Sequence, residues 1–193
     1  YMVEALIKWN KKFEYPKSIR TSIEGKRHYE ITGQKLPSVT TILSATQSPE
    51  KKAKLEEWKK RVGTQQADRI RDVSAMRGTA MHTYLEGYIL GQNHLDLTSI
   101  GQEAGKMAKV VIEKGLGDLG EVWGSEVTLY YPGLYAGATD VVGIYNGRES
   151  IIDFKQTNKP KQREWIGDYF VQLAAYAMAH NHVYGTKIQS GVI

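Results

Sequence analysis

Residues 137–157 read GATDVVGIYNGRESIIDFKQT: two apolar runs flank Asn146-Gly147, and each carries one acid, Asp140 and Asp153. Asn-Gly between hydrophobic runs is a strong hairpin signal, because a two-residue type I′ turn needs positive φ at both central positions. With those two residues as the loop, Tyr145 pairs with Arg148, Val142 with Ile151, and Asp140 stands opposite Asp153. Opposed Cβ atoms lie about 4.5–5.5 Å apart, where like charges are destabilising. Side chains alternate between faces, so Lys155 shares the face of Asp153, diagonal to Asp140, while Phe154 points the other way. Val142, Ile144 and Ile151 fill one face; Val141, Ile152 and Phe154 fill the other. A central hairpin covered on both sides is expected, and there an unpaired carboxylate is very costly. Lys155 offers one positive charge against two negative. Two readings stay open: an Asp–Asp–Lys ion cluster at a solvated strand end, or a site completed by a divalent cation, since hard cations such as Mg²⁺ prefer carboxylate oxygens. A one-residue slip would put the acids on opposite faces and remove the second reading.

The surrounding pattern predicts strands over 122–130, 135–145 and 149–155, broken by Pro132-Gly133 and Asn146-Gly147. A helix over Gln162 to His182 follows, then a strand in KIQSGVI (187–193), and a strand so close to the last residue predicts that the natural chain continues. Upstream, residues 1–35 read as a strand or two with loops, and LPSVTTIL (36–43) as a strand or a buried run leading into a helix. Ser48-Pro49-Glu50 is a helix start: a capping serine, proline in the first turn and an acid at the positive end. That helix runs to about Val62 with Leu55, Trp58 and Val62 on one face. Further helices are expected from Thr64 to about Leu90 and over 101–114. The class is α/β (α+β), a central mixed sheet with helices packed against it, in one domain spanning 1–193.

With 193 residues and 41% hydrophobic content, the chain can bury a substantial core. It has no Cys, which removes disulfides, thiolate zinc sites and cysteine-ligated iron–sulfur clusters. No stretch approaches a membrane span, and charges begin at Glu4 and Lys8, so neither a membrane partner nor a signal peptide is expected, and an intracellular location is. The sequence opens on Tyr1, which reads as a processed or recombinant fragment. A net charge of +5, with Lys8, Lys11, Lys12, Lys17, Arg20, Lys26 and Arg27 near the start and a basic run over 51–61, suits a polyanion partner. It suits a merely solvated surface equally.

Two helices bear on the acids. Ala75, Gly78, Thr79, His82 and Glu86 form a stripe of mostly small residues; a lone helical histidine is more often structural than a ligand. On the 162–182 helix, Ile166, Phe170, Leu173 and Ala177 read as the core face. Trp165, Tyr169, Gln172, Tyr176 and His180 form the second stripe, with the edge of the core the better reading for Trp165, Tyr169 and His180. Glu126 is either a plain strand carboxylate or an acid near the site.

Asp140 in GATD and Asp153-Phe154-Lys155 in IIDFK together resemble the PD-(D/E)XK nuclease superfamily, whose signature is an acid on one strand and D/E-x-K on the next. Gln172 and Tyr176 in QLAAY are similar to the Q-x-x-x-Y helix of its RecB-like branch, and His82 in RGTAMH to that branch's upstream histidine. LPSVTTIL, Trp58 and RGTAMH look most like the mitochondrial genome maintenance exonucleases with their phage and bacterial relatives. The resemblance covers about residues 36–180 and implies a restriction-endonuclease-like core.

It further implies phosphodiester hydrolysis, with Asp140 and Asp153 holding Mg²⁺ or Mn²⁺ and the Phe154 carbonyl and His82 completing the shell; Glu126 is a further candidate ligand. Lys155 would orient the attacking water or stabilise developing charge, and Gln172 and Tyr176 would position Lys155 and the phosphate. The basic loop with Lys159, Lys161 and Arg163 would contact phosphates, as would Arg77; Tyr84, Trp165 and Tyr169 could stack on bases. The expected function is a metal-dependent exonuclease on single-stranded DNA or free DNA ends in replication, recombination or repair, with other proteins of those processes as partners. It would work in the cytoplasm of a bacterium or phage-infected host, or in the mitochondrial matrix. Structure-specific endonuclease, RNA-cutting nuclease and inactive DNA-binding subunit remain alternatives.

Overall fold

A computed structural model describes residues 7–157 and 167–193. The Asn146-Gly147 turn forms as its chemistry requires, with φ of 49° and 77°. It joins β6 (Tyr135–Tyr145) to β7 (Arg148–Ile152), pairing Tyr145 with Arg148 and Val142 with Ile151. β5 (Leu119–Tyr131) runs antiparallel on the other side of β6. β8 (Ser190–Val192) adds parallel to β7, and β1 (Lys8–Trp9) parallel to β5. The order β1-β5-β6-β7-β8 makes the mixed sheet that the sequence predicts.

β7 stops at Ile152, short of the expected 155. Its continuation turns to other partners: Asp153 N donates to Val192 O at 3.0 Å, and Phe154 N donates to Asp140 Oδ2 at 2.7 Å. The backbone therefore leaves the ladder where the acids meet.

Alternation along the strands feeds two cores. Val141, Ile152 and Phe154 pack with Met81, Leu85 and Ile89 of α3 (Thr64–Ile89) and with Ala104 and Ala108 of α4 (Ser99–Lys114). Val142, Ile151, Trp123 and Leu129 pack on the opposite face with Leu173, Tyr176 and Ala179 of α5 (Gly167–Tyr184). Each large side chain buried this way contributes about 1.5–3 kcal/mol, so the hairpin is held from both sides.

Where the sequence predicts a strand or two in residues 1–35, three strands besides β1 form a separate sheet: β2 (Ser18–Ile23), β3 (Lys26–Ile31) and β4 (Gln34–Pro37), antiparallel in that order. Tyr29, Ile31 and Leu36 seat it on Ala136 of β6. LPSVTTIL is split between strand and helix, because Ser38 caps α1 (Val39–Ala45) by accepting from Thr41 N at 3.0 Å. Ser48 likewise caps α2 (Pro49–Val62) through Lys51 N at 3.3 Å. None of α2 is buried, and Leu55 on its expected apolar face is 44% exposed. The exposed Lys51–Asp168 pair at 3.1 Å ties α2 to α5, a contact worth at most about 1 kcal/mol.

α5 corrects the expected core face. Leu173 is buried, but Phe170 is 45% exposed, and Ile166 lies outside the described residues. Gln172, Tyr176, Ala179 and His180 turn inward instead: Ala179 packs in the core, and the polar groups of the other three find partners there. His180 is fully buried, with Nε2 2.8 Å from the Tyr15 hydroxyl and Nδ1 2.7 Å from the Thr186 hydroxyl. Phe13, Tyr15, Trp123 and Tyr184 surround its ring. Among the described residues no helix is long and apolar enough to cross a membrane.

Burial pushes the His180 imidazole down from 6.5 to about 4. The folded state thus keeps it neutral where an unfolded chain would protonate it. Its contribution is complete above pH 6.5 and is lost as pH falls towards 4. Urea midpoints should decline across that window, and His180→Gln should flatten the decline while lowering stability at pH 7; an unchanged slope in the variant would refute this assignment.

Candidate active site

Asp140 and Asp153 are 7% and 6% exposed, side by side where the hairpin opens. Lys155 Nζ lies 2.8 Å from Asp153 Oδ2 and donates to Gln172 Oε1 at 3.0 Å. Gln172 Nε2 in turn donates to the Tyr176 hydroxyl at 2.9 Å. Gln172 and Tyr176 are one turn apart on α5, so both reach the same strand end. The ammonium also sits over the Tyr169 ring, 4.8 Å from its centroid. Removing one partner from a buried pair of this kind costs about 3–5 kcal/mol, which fixes Lys155 firmly.

α3 closes the site from the other side of the sheet. His82 Nδ1 donates to Gly78 O at 2.9 Å, while Nε2 lies 2.8 Å from Phe154 O and 3.3 Å from Asp140 Oδ2. Burial raises the Asp140 carboxyl, His82 pulls it back, and the neighbouring Asp153 raises it further, to about 8. For His82, burial acts to lower the value, but the hydrogen bond and charge of Asp140, then the Phe154 and Gly78 carbonyls, lift it to about 9. The two shifts differ in origin: burial is the main cause for Asp140, whereas His82 is raised by the acceptors around its ring, Asp140 first.

Gln156, just after Lys155, is pinned to α3. Arg77 Nε donates to its Oε1 at 3.0 Å, and its Nε2 donates to Ser74 O at 3.2 Å. Gly78 leaves room for the Gln156 side chain, which would stand 3.5 Å from any Cβ there. Arg77, expected at phosphates, is turned inward at 6% exposure and also pairs with Glu103 at 3.1 Å. Tyr84 turns to the Asp96 backbone and the His94 ring.

Glu126 has a φ of 51° and stands between the Ser125–Val141 and Val127–Thr139 pairs, which puts it across from Asp140. Burial and then the Glu126 charge raise the nearby Glu86 carboxyl.

The acids, Lys155, His82, Gln156, Gln172 and Tyr176 line a cleft of about 660 Å³, whereas Arg77 and Tyr84 are not part of its lining. The stripe Ala75, Gly78, Thr79, His82 and Glu86 forms one side; Asp140, Asp153, Lys155, Gln172, Tyr176, Tyr169 and Glu126 lie beside it. Arg20, Arg27, Tyr29, Ser38 and Thr40 of the small sheet and α1 complete the lining. The sequence marks Arg20 and Arg27 as part of a basic region suited to a polyanion and Gln156 as the start of a basic loop, but no local motif places them, or Tyr29, Ser38 and Thr40, at this cleft. Lys159, Lys161, Arg163 and Trp165 lie outside the described residues.

Among the described residues, no group of three or more His, Asp or Glu side chains is arranged as a metal cage. In kind, two carboxylates, a backbone carbonyl and an imidazole fit a hard divalent cation. Here these donors bond one another, with His82 Nε2 placed between the Phe154 carbonyl and Asp140.

No family model matches the chain. It is 28% identical over 192 residues to "Mitochondrial genome maintenance exonuclease 1" of Xenopus tropicalis, covering 94% of this chain and 54% of that protein. The Mus musculus protein of the same name is 30% identical over 166 residues, covering 82% and 48%. The Homo sapiens protein is 29% identical over 169 residues, covering 82% and 48%. The chain therefore spans about half the length of the curated relatives it matches, and the similarity supports a relationship to that exonuclease family.

The Tyr176 ring lies against the Gly137 backbone, where an added Cβ would come 2.8 Å from the hydroxyl oxygen. Gly137→Ala should destabilise the protein by about 1–3 kcal/mol through overpacking. In a Tyr176→Ala background the same change should cost far less. Urea midpoints of the four proteins check this, and equal effects in both backgrounds would show that the contact does not matter.

Proposed function

We propose that this chain is a Mg²⁺- or Mn²⁺-dependent DNA exonuclease of the PD-(D/E)XK type, RecB-like branch, acting on single strands or free ends. One observation carries the reading: two buried aspartates stand together in an open cleft, with Lys155 held between Asp153 and Gln172. The printed names of the three relatives support the exonuclease class.

Asp140 and Asp153 would hold the cation, with the Phe154 carbonyl, His82 and, across the ladder, Glu126 as further donors. A bound divalent cation supplies Lewis acidity and lowers the pKa of a coordinated water. The chain's own residues do the positioning. Lys155 presents its ammonium to the attacked phosphate, where it orients water and opposes developing charge. Gln172 fixes that ammonium, and Arg77 and Ser74 restrain the following residue through Gln156. Burial, then the Asp153 charge, keeps the Tyr176 hydroxyl protonated, so it acts as a hydrogen-bond donor to phosphate. Lys159, Lys161 and Arg163 would hold backbone phosphates without reading sequence, and Tyr169 and Trp165 would stack on bases. Such an enzyme serves replication, recombination or repair alongside other proteins of those processes.

The deciding experiment compares end-labelled linear and circular single-stranded DNA in Mg²⁺, Mn²⁺ or EDTA. Metal-dependent loss of the linear strand with the circle intact is expected, and Lys155→Ala should slow it by about 10²–10³-fold. Mn²⁺ should also raise the melting temperature of the wild type and not of Asp140→Asn. Cutting of the circle would indicate an endonuclease, and absence of cutting with either metal would sink the proposal.

A further inference from the structure

We propose that Arg20 and Arg27 form an outer phosphate clamp, gripping the backbone of the DNA strand away from the bond being cut. The identity of the anion rests on the nuclease reading above; the site itself rests on separate geometry.

In the β2–β3 ladder, Arg20 pairs with Tyr29 and Ser22 pairs with Arg27. Arg20, Arg27, Tyr29 and Ile31 therefore share one face of the small sheet. Tyr29 and Ile31 are buried on that face, packed with Ala136. Beyond Tyr29 the same face stops being apolar and, where it becomes exposed, presents two guanidiniums as diagonal neighbours across the ladder. Packing gives no reason for cations there. Among the described residues neither guanidinium has an ion pair, and Glu30, the acid beside them on β3, is on the opposite face, 3.9 Å from Lys35.

Both arginines line the cleft that holds Asp140, Asp153 and Lys155. Arg27 and Thr40 also border an adjoining hollow of about 670 Å³, together with Lys26, Thr41 and Ser44. The two hollows share Arg27 and Thr40, and the polar groups of the second are two cations and three hydroxyls. That chemistry suits phosphate oxygens rather than base edges. Guanidinium groups bind phosphate in bidentate fashion. The electrostatics agree: Asp140, Asp153, Glu86 and Glu126 all line the cleft that a polyanionic substrate would enter, so cations on the opposite wall add to the attraction of Lys155.

The test measures fluorescence anisotropy of a labelled oligothymidylate in EDTA across a salt series, with KM and kcat for its digestion in Mg²⁺. For Arg20→Ala/Arg27→Ala, the slope of log affinity against log salt should fall by about 1.4, two contacts at about 0.7 each. Affinity should drop on the order of tenfold or more, with KM rising by more than kcat falls. Arg20→Lys/Arg27→Lys should keep the slope and lose part of the affinity. Arg148→Ala, at the far end of the hairpin, should leave the slope unchanged. An unaltered slope and affinity in the double alanine protein, with cleavage intact, would overturn the clamp and leave the nuclease standing. A wild type that binds the strand without cutting it would overturn the nuclease instead, and the slope comparison would still decide the clamp. A wild type that binds no DNA would end both.

Discussion

Two carboxylates opposed across a doubly covered hairpin impose the constraint around which this molecule is arranged. Burial and the neighbouring Asp153 both act against ionising Asp140, and its carboxyl is raised accordingly. The fold answers locally. The ladder ends at Ile152, and the freed Phe154 N turns to Asp140 while Asp153 N turns to β8. One helix delivers an imidazole from one face, and another delivers the amide that fixes Lys155 from the other face. Each arrangement would be pointless in a hairpin with Val at position 140.

The same constraint explains the odd behaviour of α5. An amphipathic helix normally turns its most apolar stripe inward, yet Phe170 is left in solvent while Gln172, Tyr176 and His180 are buried. A buried polar group is tolerated once its partners are supplied, and Lys155, Tyr15 and Thr186 supply them. The stripe that carries the site has displaced the stripe that hydropathy favours.

The hairpin was legible because Asn-Gly fixes register by backbone geometry alone, and register decides which side chains meet. Caps at Ser48 and the period of α3 and α4 were legible for similarly local reasons. The small sheet was legible only as a strand or two with loops: Ser18–Ile23 and Lys26–Ile31 are mostly polar, with Tyr29 and Ile31 alone buried, so periodicity could not fix the number of strands or their pairing. The inward turn of Arg77 and the role of Gln156 depend on one helix meeting one strand end, at a sequence separation of 79 residues. No local pattern encodes that meeting. The fourfold set of Asp140, Asp153, Lys155 and His82 did come together as expected, whereas the far wall of the cleft emerged only from the three-dimensional path of the chain.

α2 has a different standing from everything around the acids. No residue of it is fully buried, Trp58 and Val62 are half-buried, and its ion pairs, Lys59–Glu56 and Lys51–Asp168, are exposed and weak. Its opening free energy is therefore small compared with that of the core, and its amides should behave as a separate cooperative unit in hydrogen exchange. Such a segment can drift in sequence, length or charge without threatening the rest of the molecule. The acids and their supports have no such latitude, so the protein joins a frozen centre to a freely variable arm.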